Sequence, residues 1–315
     1  MIRSALLLIF LCISACDAPG PLKAERNAED LFGPSENNTV VVEAVLIVGS
    51  PLPHINLSRT AAPNETYDRA DVTLPGARVS IVQGDAVFAY SGDPAQPGRY
   101  IPPAGSPSVA PNTVYNLQVV LDNEPTVRAT TTTPTRMHID HVALVDYDNL
   151  DRELRRLQLF SSGDPYSAPE NQLEYIAGAL VVRIQSEKQS VSHQFSMLNL
   201  ERDSELLFNL FDDEENEEGE EDELKRRATS PLVRAQDDQI YMPWEGINYA
   251  GRHKVKLFAV DQNWFDLVRT DNVNADRGAG EAGQGFQRPL FHVENGIGLF
   301  ASAAVDSFGF FVHPQ

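Results

Sequence analysis

Residues 114–121 read VYNLQVVL, and apolar side chains occupy every second position: Tyr115, Leu117, Val119 and Leu121. Such strict alternation is typical of a strand with one buried face, because successive side chains of a strand point to opposite faces. Comparable short apolar runs, separated by Pro, Gly and Asn, lie on both sides of this stretch, at residues 40–48, 55–57, 77–82 and 127–133. We therefore predict an antiparallel β-sandwich over residues 39–135.

A second series of predicted strands follows Pro134, which ends the first domain. These strands cover residues 139–145, 154–160, 175–184, 193–200, 254–260 and 291–312. Asn295 and Gly296 indicate a hairpin turn within the last run, because both residue types tolerate positive φ. Residues 149–157 could instead begin a helix, and residues 262–268 are expected to contain a helical turn. The chain is thus predicted to be all-β, with a second, larger antiparallel domain, a sandwich or a barrel, over residues 136–315.

The N-terminus carries the features of an export signal. Arg3 precedes an apolar run over residues 5–13, and the sequence ISAC that ends at Cys16 resembles the lipobox of bacterial lipoproteins. The resemblance implies that residues 1–15 are removed and that lipid on the Cys16 thiol attaches the chain to a membrane. An ordinary signal peptide with a chance cysteine is the alternative. Residues 16–38 are rich in Pro, Gly and polar side chains, and we expect them to form a flexible tether.

The chain is strongly acidic, with a formal net charge of −20 at pH 7. Nucleic acid is therefore an unfavourable partner, because its phosphates repel an acidic surface. Acidic side chains are concentrated in residues 212–223, and basic residues follow directly. Residues 212–227 are predicted to be a disordered insertion in the second domain, since like charges this dense cannot be buried. A cation-binding strip is the alternative interpretation of this run.

Catalytic motifs are sparse in this sequence. The seven histidines show no zinc-type spacing, and no serine lies in a G-x-S-x-G elbow. Gly278, Gly280 and Gly283 spell G-x-G-x-x-G, but polar residues precede them where a dinucleotide-binding fold requires a strand. We interpret these glycines as a mobile loop.

Two groups of oxygen-bearing side chains are candidates for a metal site, with Ca²⁺ as the ion. Asn272, Asn274 and Asp276 alternate like the first ligands of a calcium loop, although glycine and glutamate are missing from the positions that such a loop requires. A second set of loop carboxylates comprises Asp146, Asp148 and Asp151. Solvated surface loops are the competing interpretation of both groups. No other cofactor is predicted.

Aromatic residues of the second domain are candidates for ligand contact. Trp244, Tyr249 and Trp264 fall close together in the chain and could stack a sugar or peptide in a groove. Aromatic side chains of β-proteins commonly pack in the core, and that is the competing interpretation.

Several short stretches, taken in order, resemble a family of Bacteroidota lipoproteins grouped as domain of unknown function 4249. They are VVEA at 41–44, INLSRT at 55–60, PGARV at 75–79, GRY at 98–100, YNL at 115–117 and VENGIGLF at 293–300. The first domain would accordingly be an immunoglobulin-like or transthyretin-like sandwich. The resemblance implies an outer-membrane lipoprotein, often encoded beside a TonB-dependent transporter, with no known catalytic residues. The acidic run at 212–223 departs from the family pattern.

These observations together favour a non-enzymatic lipoprotein of the cell envelope. We expect an accessory or ligand-binding component beside an outer-membrane TonB-dependent uptake system, held to the membrane by its lipid. The alternative is an envelope hydrolase that acts on glycan or peptide through carboxylates in the second domain. A concave pocket with two close carboxylates would favour that alternative.

Overall fold

The computed structural model describes residues 38–62, 68–186, 190–207, 226–236, 238–244, 246–276 and 289–314. All of these residues belong to the unit Asn38–Gln315. The predicted signal peptide, the lipidation site Cys16 and the tether up to residue 37 lie outside the described residues. So do the glycines at 278, 280 and 283 and residues 212–225 of the insertion predicted over residues 212–227. The last two residues of that insertion, Arg226 and Arg227, are described, and Arg227 begins a strand.

Strands dominate the described chain. In order they are β1 (Val40–Ile47), β2 (Ile55–Arg59), β3 (Arg78–Gln83), β4 (Ala86–Ala89), β5 (Ser91–Gly92), β6 (Arg99–Ile101), β7 (Val114–Val120), β8 (Val127–Thr132), β9 (Met137–Val145), β10 (Glu153–Leu157), β11 (Gln172–Leu173), β12 (Ala179–Ser186), β13 (Ser192–Asn199), β14 (Arg227–Thr229), β15 (Gln239–Met242), β16 (Gly251–Val260), β17 (Val293–Glu294) and β18 (Ile297–Val312). Two helices, α1 (Arg69–Val72) and α2 (Gln262–Asp276), and two 3₁₀ turns, Phe160–Ser162 and Pro169–Asn171, complete the regular structure.

The strands form three open sheets. A nine-stranded sheet has the order β14-β13-β16-β18-β1-β2-β6-β5, with β11 also paired to β18. A five-stranded sheet has the order β17-β8-β7-β3-β4, and a four-stranded sheet the order β10-β9-β12-β15. Strand pairs are antiparallel apart from β1 with β18 and β11 with β18, which are parallel. The predicted all-β sandwich class is confirmed.

Two hydrophobic clusters lie on one face of the nine-stranded sheet. The first packs β1, β2 and the start of β18 against β3, β7 and β8 of the five-stranded sheet. The second packs β13, β16 and the end of β18 against the four-stranded sheet. Phe300 belongs to the first cluster, whereas Phe308 and Phe310 belong to the second. The last strand therefore contributes to both cores, and it pairs with the first strand of the described chain.

A buried group of polar side chains lies where the two cores meet. Ser302 is on β18 between Phe300 and Ala304, and its hydroxyl lies 2.7 Å from that of Thr131 on β8. Both hydroxyls contact a carboxylate oxygen of Asp261. The exposed fractions of Thr131, Asp261 and Ser302 are 2%, 6% and 0%. We call these three residues the junction cluster.

The hairpin predicted at Asn295 and Gly296 is wrong. β17 pairs with β8 of the five-stranded sheet, whereas β18 pairs with strands of the nine-stranded sheet. Asn295 has a φ of 58°, but Gly296 is not among the residues of positive φ. A two-residue hairpin of type I′ requires positive φ at both central positions. The turn instead carries the chain from one sheet to the next.

The backbone shows a strand in one of the two stretches where a helix was considered and a helix in the other. Residues 153–157 form β10, so the helical alternative for that stretch is excluded. The helical turn expected at 262–268 is real but is part of a longer helix, α2, which continues to Asp276. No helix within the described ranges combines the length and the apolar character that a membrane span requires.

Candidate binding groove

Helix α2 begins at the junction cluster because Asp261 serves as its N-cap. The Trp264 backbone N–H donates to Asp261 Oδ1 at 3.0 Å, and the Phe265 N–H donates to the Asp261 carbonyl at 3.1 Å. Asp is among the preferred N-cap residues because its carboxylate accepts from a free N–H of the first turn. Burial raises the pKa of the Asp261 carboxyl, while hydrogen bonds from Thr131 and the backbone of Trp264 act in the opposite direction.

Asn263 connects the first turn of α2 to two sheets. Its Nδ2 donates to the Thr130 carbonyl at 2.7 Å and to the Phe300 carbonyl at 2.8 Å. Thr130 is on β8 and Phe300 is on β18, so one amide group spans the five-stranded and nine-stranded sheets. The helix is thereby held against the edge of β8.

Two depressions lie on either side of this contact, and both are lined by Thr130 and Asn263. The first has a volume of about 460 Å³ and is lined by Asn116, Leu117, Gln118, Arg128, Ala129, Thr130, Asn263, Phe291, His292, Val293 and Glu294. The second has a volume of about 330 Å³ and is lined by Asn112, Thr130, Thr132, Pro134, Thr135, Ser190, Val191, Val260, Asp261, Gln262 and Asn263. Ligand pockets are typically 300–1,000 Å³ in volume. We call the two depressions together the β8 groove.

A row of polar side chains crosses the floor of the first depression. Gln118 on β7 is the register partner of Arg128 on β8, and Arg128 is in turn the partner of Glu294 on β17. Leu117 and Ala129, their neighbours along the strands, belong to the first core. Because side chains alternate along a strand, the row points away from that core. We call Gln118, Arg128 and Glu294 the polar row.

A second row lies beside the first on the same outer face. Thr130 Oγ1 donates to Asn116 Oδ1 at 2.8 Å, across β7 and β8. Two residues along each strand separate this pair from Gln118 and Arg128. The floor of the groove is therefore a small grid of amide, hydroxyl and guanidinium groups.

His292, which lines the first depression, pairs with an acidic side chain of α2. His292 Nε2 lies 2.9 Å from Asp266 Oδ2, and Arg269 Nη2 donates to Asp266 Oδ1 at 3.3 Å. Burial of Asp266 would raise its pKa, but hydrogen bonds from Gln262, His292 and Arg269 outweigh it and lower the pKa below its ordinary value. Asp266 therefore stays ionised and orients the imidazole that faces the depression.

The structure separates the three aromatic residues that the sequence singled out. Trp244 is 6% exposed, packs edge-on against Tyr175 and Phe310 in the second core, and donates from Nε1 to the Gly178 carbonyl at 2.7 Å. Tyr249 is 5% exposed, and the Arg226 guanidinium lies 4.2 Å from its ring centre. Their role as ligand contacts stays a prediction, and neither lines the β8 groove.

Trp264, the third of these residues, lies on α2 beside the groove. Its Nε1 donates to Gln194 Oε1 at 3.0 Å, and its ring packs at 5.5 Å from that of Phe258. Phe258 alternates with the core residues Leu257 and Ala259, so it lies on the opposite face of the nine-stranded sheet from Trp244. Trp264 is half-buried there and does not line either depression.

The candidate metal ligands fall in two places. The backbone at Asn272, Asn274 and Asp276 is helical, as the last turns of α2, whereas the sequence suggested a loop. The structure does not describe the side chains of these three residues, so calcium binding there stays a prediction. Asp146 accepts from the Asp148 N–H at 2.9 Å and pairs with Arg152 at 3.2 Å. Among the described residues, no group of three or more His, Cys, Asp or Glu side chains could hold a metal ion.

The polar row was not among the residues that the sequence singled out. Gln118 and Arg128 do occupy the polar positions of two correctly predicted strands, so the pattern alone shows that they face outward. This outer face becomes a groove because α2 and β17 dock beside it. Their docking depends on contacts between residues far apart in the chain, such as Asn263 with Thr130. No local signal could have shown it.

Comparisons with known proteins give a family and little else. No curated protein matches this sequence. A solved structure described as "Structural insight into host cell surface retention of a 1.5-MDa bacterial ice-binding adhesin" aligns with 89% of this chain and 67% of its own, at 9% identity and a TM-score of 0.20. A TM-score this low supports no conclusion about fold or function. The model of the family described as "Domain of unknown function (DUF4249)" matches residues 29–308, and the chain belongs to that family.

Proposed function

We propose that this protein is a lipid-anchored component of the cell envelope that works by binding, as an accessory or ligand-binding partner of an outer-membrane TonB-dependent uptake system. The observation that carries the binding role is the first depression of the β8 groove, which has a volume of about 460 Å³ and a floor of polar side chains. Its volume lies within the range of known ligand pockets, and several polar side chains converge on it.

The lining of the groove favours binding over hydrolysis. Glu294 is the one carboxylate that the described residues contribute to the first depression, and Asp261 is the one that they contribute to the second. Asp261 is buried and is engaged by two hydroxyl groups and the N-terminus of α2. Hydrolysis of a glycosidic bond by paired carboxylates needs two acidic groups on opposite sides of that bond. Neither depression offers such a pair among its described lining residues.

The sequence supports the membrane attachment. The ISAC stretch ending at Cys16 resembles a lipobox, and residues 17–38 are polar and rich in Pro and Gly. A module on a flexible tether stays close to a larger membrane complex, which raises its effective concentration toward a weak partner. A groove of modest affinity can therefore be occupied on the membrane.

Affinity purification of the intact protein from gently solubilised membranes tests this role. We expect an outer-membrane TonB-dependent transporter to co-purify in stoichiometric amount. The matched control is Cys16→Ala, which leaves the body unchanged but should appear in the soluble fraction without the transporter. Absence of a TonB-dependent transporter from the proteins that co-purify with the wild type, or retention of Cys16→Ala on membranes in high salt, would contradict the proposal.

One observation favours the alternative of a hydrolase. His292 lines the first depression, and its Nε2 lies 2.9 Å from Asp266 Oδ2, which is the geometry of a general base oriented by a carboxylate. If the protein is a hydrolase, His292→Ala should abolish turnover of a glycan, peptide or ester probe, while the exposed His138→Ala should not. The binding role instead expects no turnover by the wild type across those panels.

A further inference from the structure

We propose that the β8 groove binds a neutral oligosaccharide, with the polar row as its main set of hydrogen-bonding groups. This inference rests on the proposed binding role and names the class of ligand. The site is the first depression, and the residues that carry the recognition are Gln118, Arg128 and Glu294, together with Asn116 and Thr130 beside them.

The chemistry of the lining excludes an apolar ligand. Amide groups come from Asn116, Gln118 and Asn263, and a hydroxyl comes from Thr130. An apolar ligand such as a lipid chain would desolvate Gln118, Arg128 and Glu294, whose side chains have no partner within the described chain, at a cost of about 1–3 kcal/mol for each buried group. A ligand that both donates and accepts hydrogen bonds avoids that cost. Sugar hydroxyl groups do both.

The charges of the groove favour a ligand without net charge. The described lining offers the guanidinium of Arg128 and the carboxylate of Glu294, one of each sign in the same row. A polyanion would gain from Arg128 but would be repelled by Glu294 and by a chain of net charge −20. A polycation would be attracted by Glu294 but repelled by Arg128. Hydroxyl groups can donate to Glu294 and accept from Arg128, so a neutral sugar uses both.

The side chains of the polar row are open to such a ligand. Gln118, Arg128 and Glu294 are all exposed, and no hydrogen bond or ion pair ties their side chains to another part of the described chain. Neighbouring strands lie about 4.8 Å apart, and residues two apart on one strand lie about 7 Å apart. The grid therefore presents polar groups at intervals of roughly one sugar unit. Phe291 lines the same depression and adds an apolar surface for the carbon face of a sugar ring.

Calorimetric titration of the detergent-solubilised full chain tests the inference. The neutral probes are malto-, cello-, xylo- and manno-oligosaccharides of two to six units. Oligogalacturonides represent acidic glycans, and tri- to hexa-alanine represents peptides. We expect at least one neutral series to bind with a dissociation constant tighter than about 1 mM.

Variants locate the binding. Arg128→Ala should weaken it by about tenfold or more, since a charged hydrogen bond is lost, and Gln118→Ala by about threefold to tenfold. Arg183→Ala and Gln185→Ala are the matched controls, because both residues are exposed on β12 of the four-stranded sheet. Binding by the controls should equal that of the wild type.

Several outcomes would overturn the inference. They are binding of the acidic or peptide probes in preference to every neutral series, binding that Arg128→Ala and Gln118→Ala leave unchanged, and no binding by any neutral probe. Co-purification with a transporter tests the proposed function separately. If the transporter co-purifies but no neutral sugar binds, the class of ligand is wrong and the accessory role stands. If a sugar binds but no transporter co-purifies, the accessory role is wrong and the class of ligand stands.

Discussion

The hydroxyl oxygens of Thr131 and Ser302 lie 2.7 Å apart although 171 positions separate the two residues in the chain. Their contact joins the five-stranded sheet to the nine-stranded sheet at the level where one hydrophobic core ends and the other begins. Asp261 accepts hydrogen bonds from both and caps the helix that borders the β8 groove. The packing of the two cores and the position of the groove wall therefore depend on the same three side chains.

Thr131→Val should destabilise the protein by about 1–3 kcal/mol, because it leaves the buried Asp261 carboxylate without one of its donors at unchanged side-chain volume. Urea unfolding of the purified chain measures this loss. Thr132→Val is the matched control, since Thr132 is exposed on the same strand, and it should change stability by less than about 0.5 kcal/mol. Equal effects of the two substitutions would show that the junction cluster does not contribute as described.

Gly298→Ala should destabilise the protein by about 3 kcal/mol or more. Gly298 has a φ of +108°, and a Cβ atom there would lie 2.1 Å from the Val42 carbonyl oxygen on the paired strand β1. Both the strained backbone and the clash with a backbone atom oppose the substitution. Thermal unfolding provides the measurement.

Gly84→Ala separates those two causes. Gly84 also has positive φ, +56°, but a Cβ atom added there would have no other atom within 4 Å. It should show the backbone strain alone, at about 1 kcal/mol. A loss at Gly298 no larger than at Gly84 would contradict the close approach of β18 to β1.

The sequence was informative where the signal was local. The alternation of Tyr115, Leu117 and Val119 predicted β7 and its buried face, and all three side chains are buried in the first core. The pairing of β1 with β18 was beyond reach, because those strands lie at opposite ends of the described chain and parallel pairing leaves no turn signal between them. Asn295 and Gly296 likewise predict a turn, but they do not indicate that β17 pairs with β8 and β18 with β1.

The groove was less predictable than the sheets. Trp244 and Trp264 are equally prominent in the sequence, yet one is in the second core and the other lies on the opposite face of the nine-stranded sheet. Arg128 has no distinctive sequence context at all. Its importance comes from its neighbours Gln118 and Glu294, which meet it only through strand register.

The two tryptophans should respond differently to solvent and to substitution. Trp244→Phe removes the donor to the buried Gly178 carbonyl and should cost about 1–3 kcal/mol. It leaves Trp264, which is half-buried, as the single remaining indole of the chain. Acrylamide should quench the fluorescence of Trp244→Phe more strongly than that of Trp264→Phe, in which the 6% exposed Trp244 remains. The opposite order of quenching would show that the assigned environments are wrong.

Two buried histidines should make the fold sensitive to acid. His193 and His253 are 1% and 2% exposed, and burial lowers the pKa of each to about 4. In the unfolded chain histidine has its ordinary pKa of about 6.5, so between about pH 6.5 and pH 4 the unfolded state binds more protons than the folded state. Stability must therefore fall as the pH falls through that window. Each histidine should cost about 2 kcal/mol between pH 7 and pH 5.

Substitution separates the contribution of His193 from the rest. Neither of its ring nitrogens has a hydrogen-bond partner among the described residues, so His193→Leu should lose little stability at pH 7. At pH 5 the His193→Leu variant should retain about 2 kcal/mol of stability that the wild type loses.

His253 differs from His193, because its Nδ1 donates to the Gly251 carbonyl at 3.0 Å and its Nε2 accepts from Asn199 at 3.2 Å, which requires a neutral ring. His138→Leu, at an exposed position of β9, is the control and should keep the full acid sensitivity. Urea unfolding midpoints at pH 7, 6 and 5 measure these differences, and an identical pH dependence of His193→Leu and the wild type would show that His193 is not held neutral in the folded state.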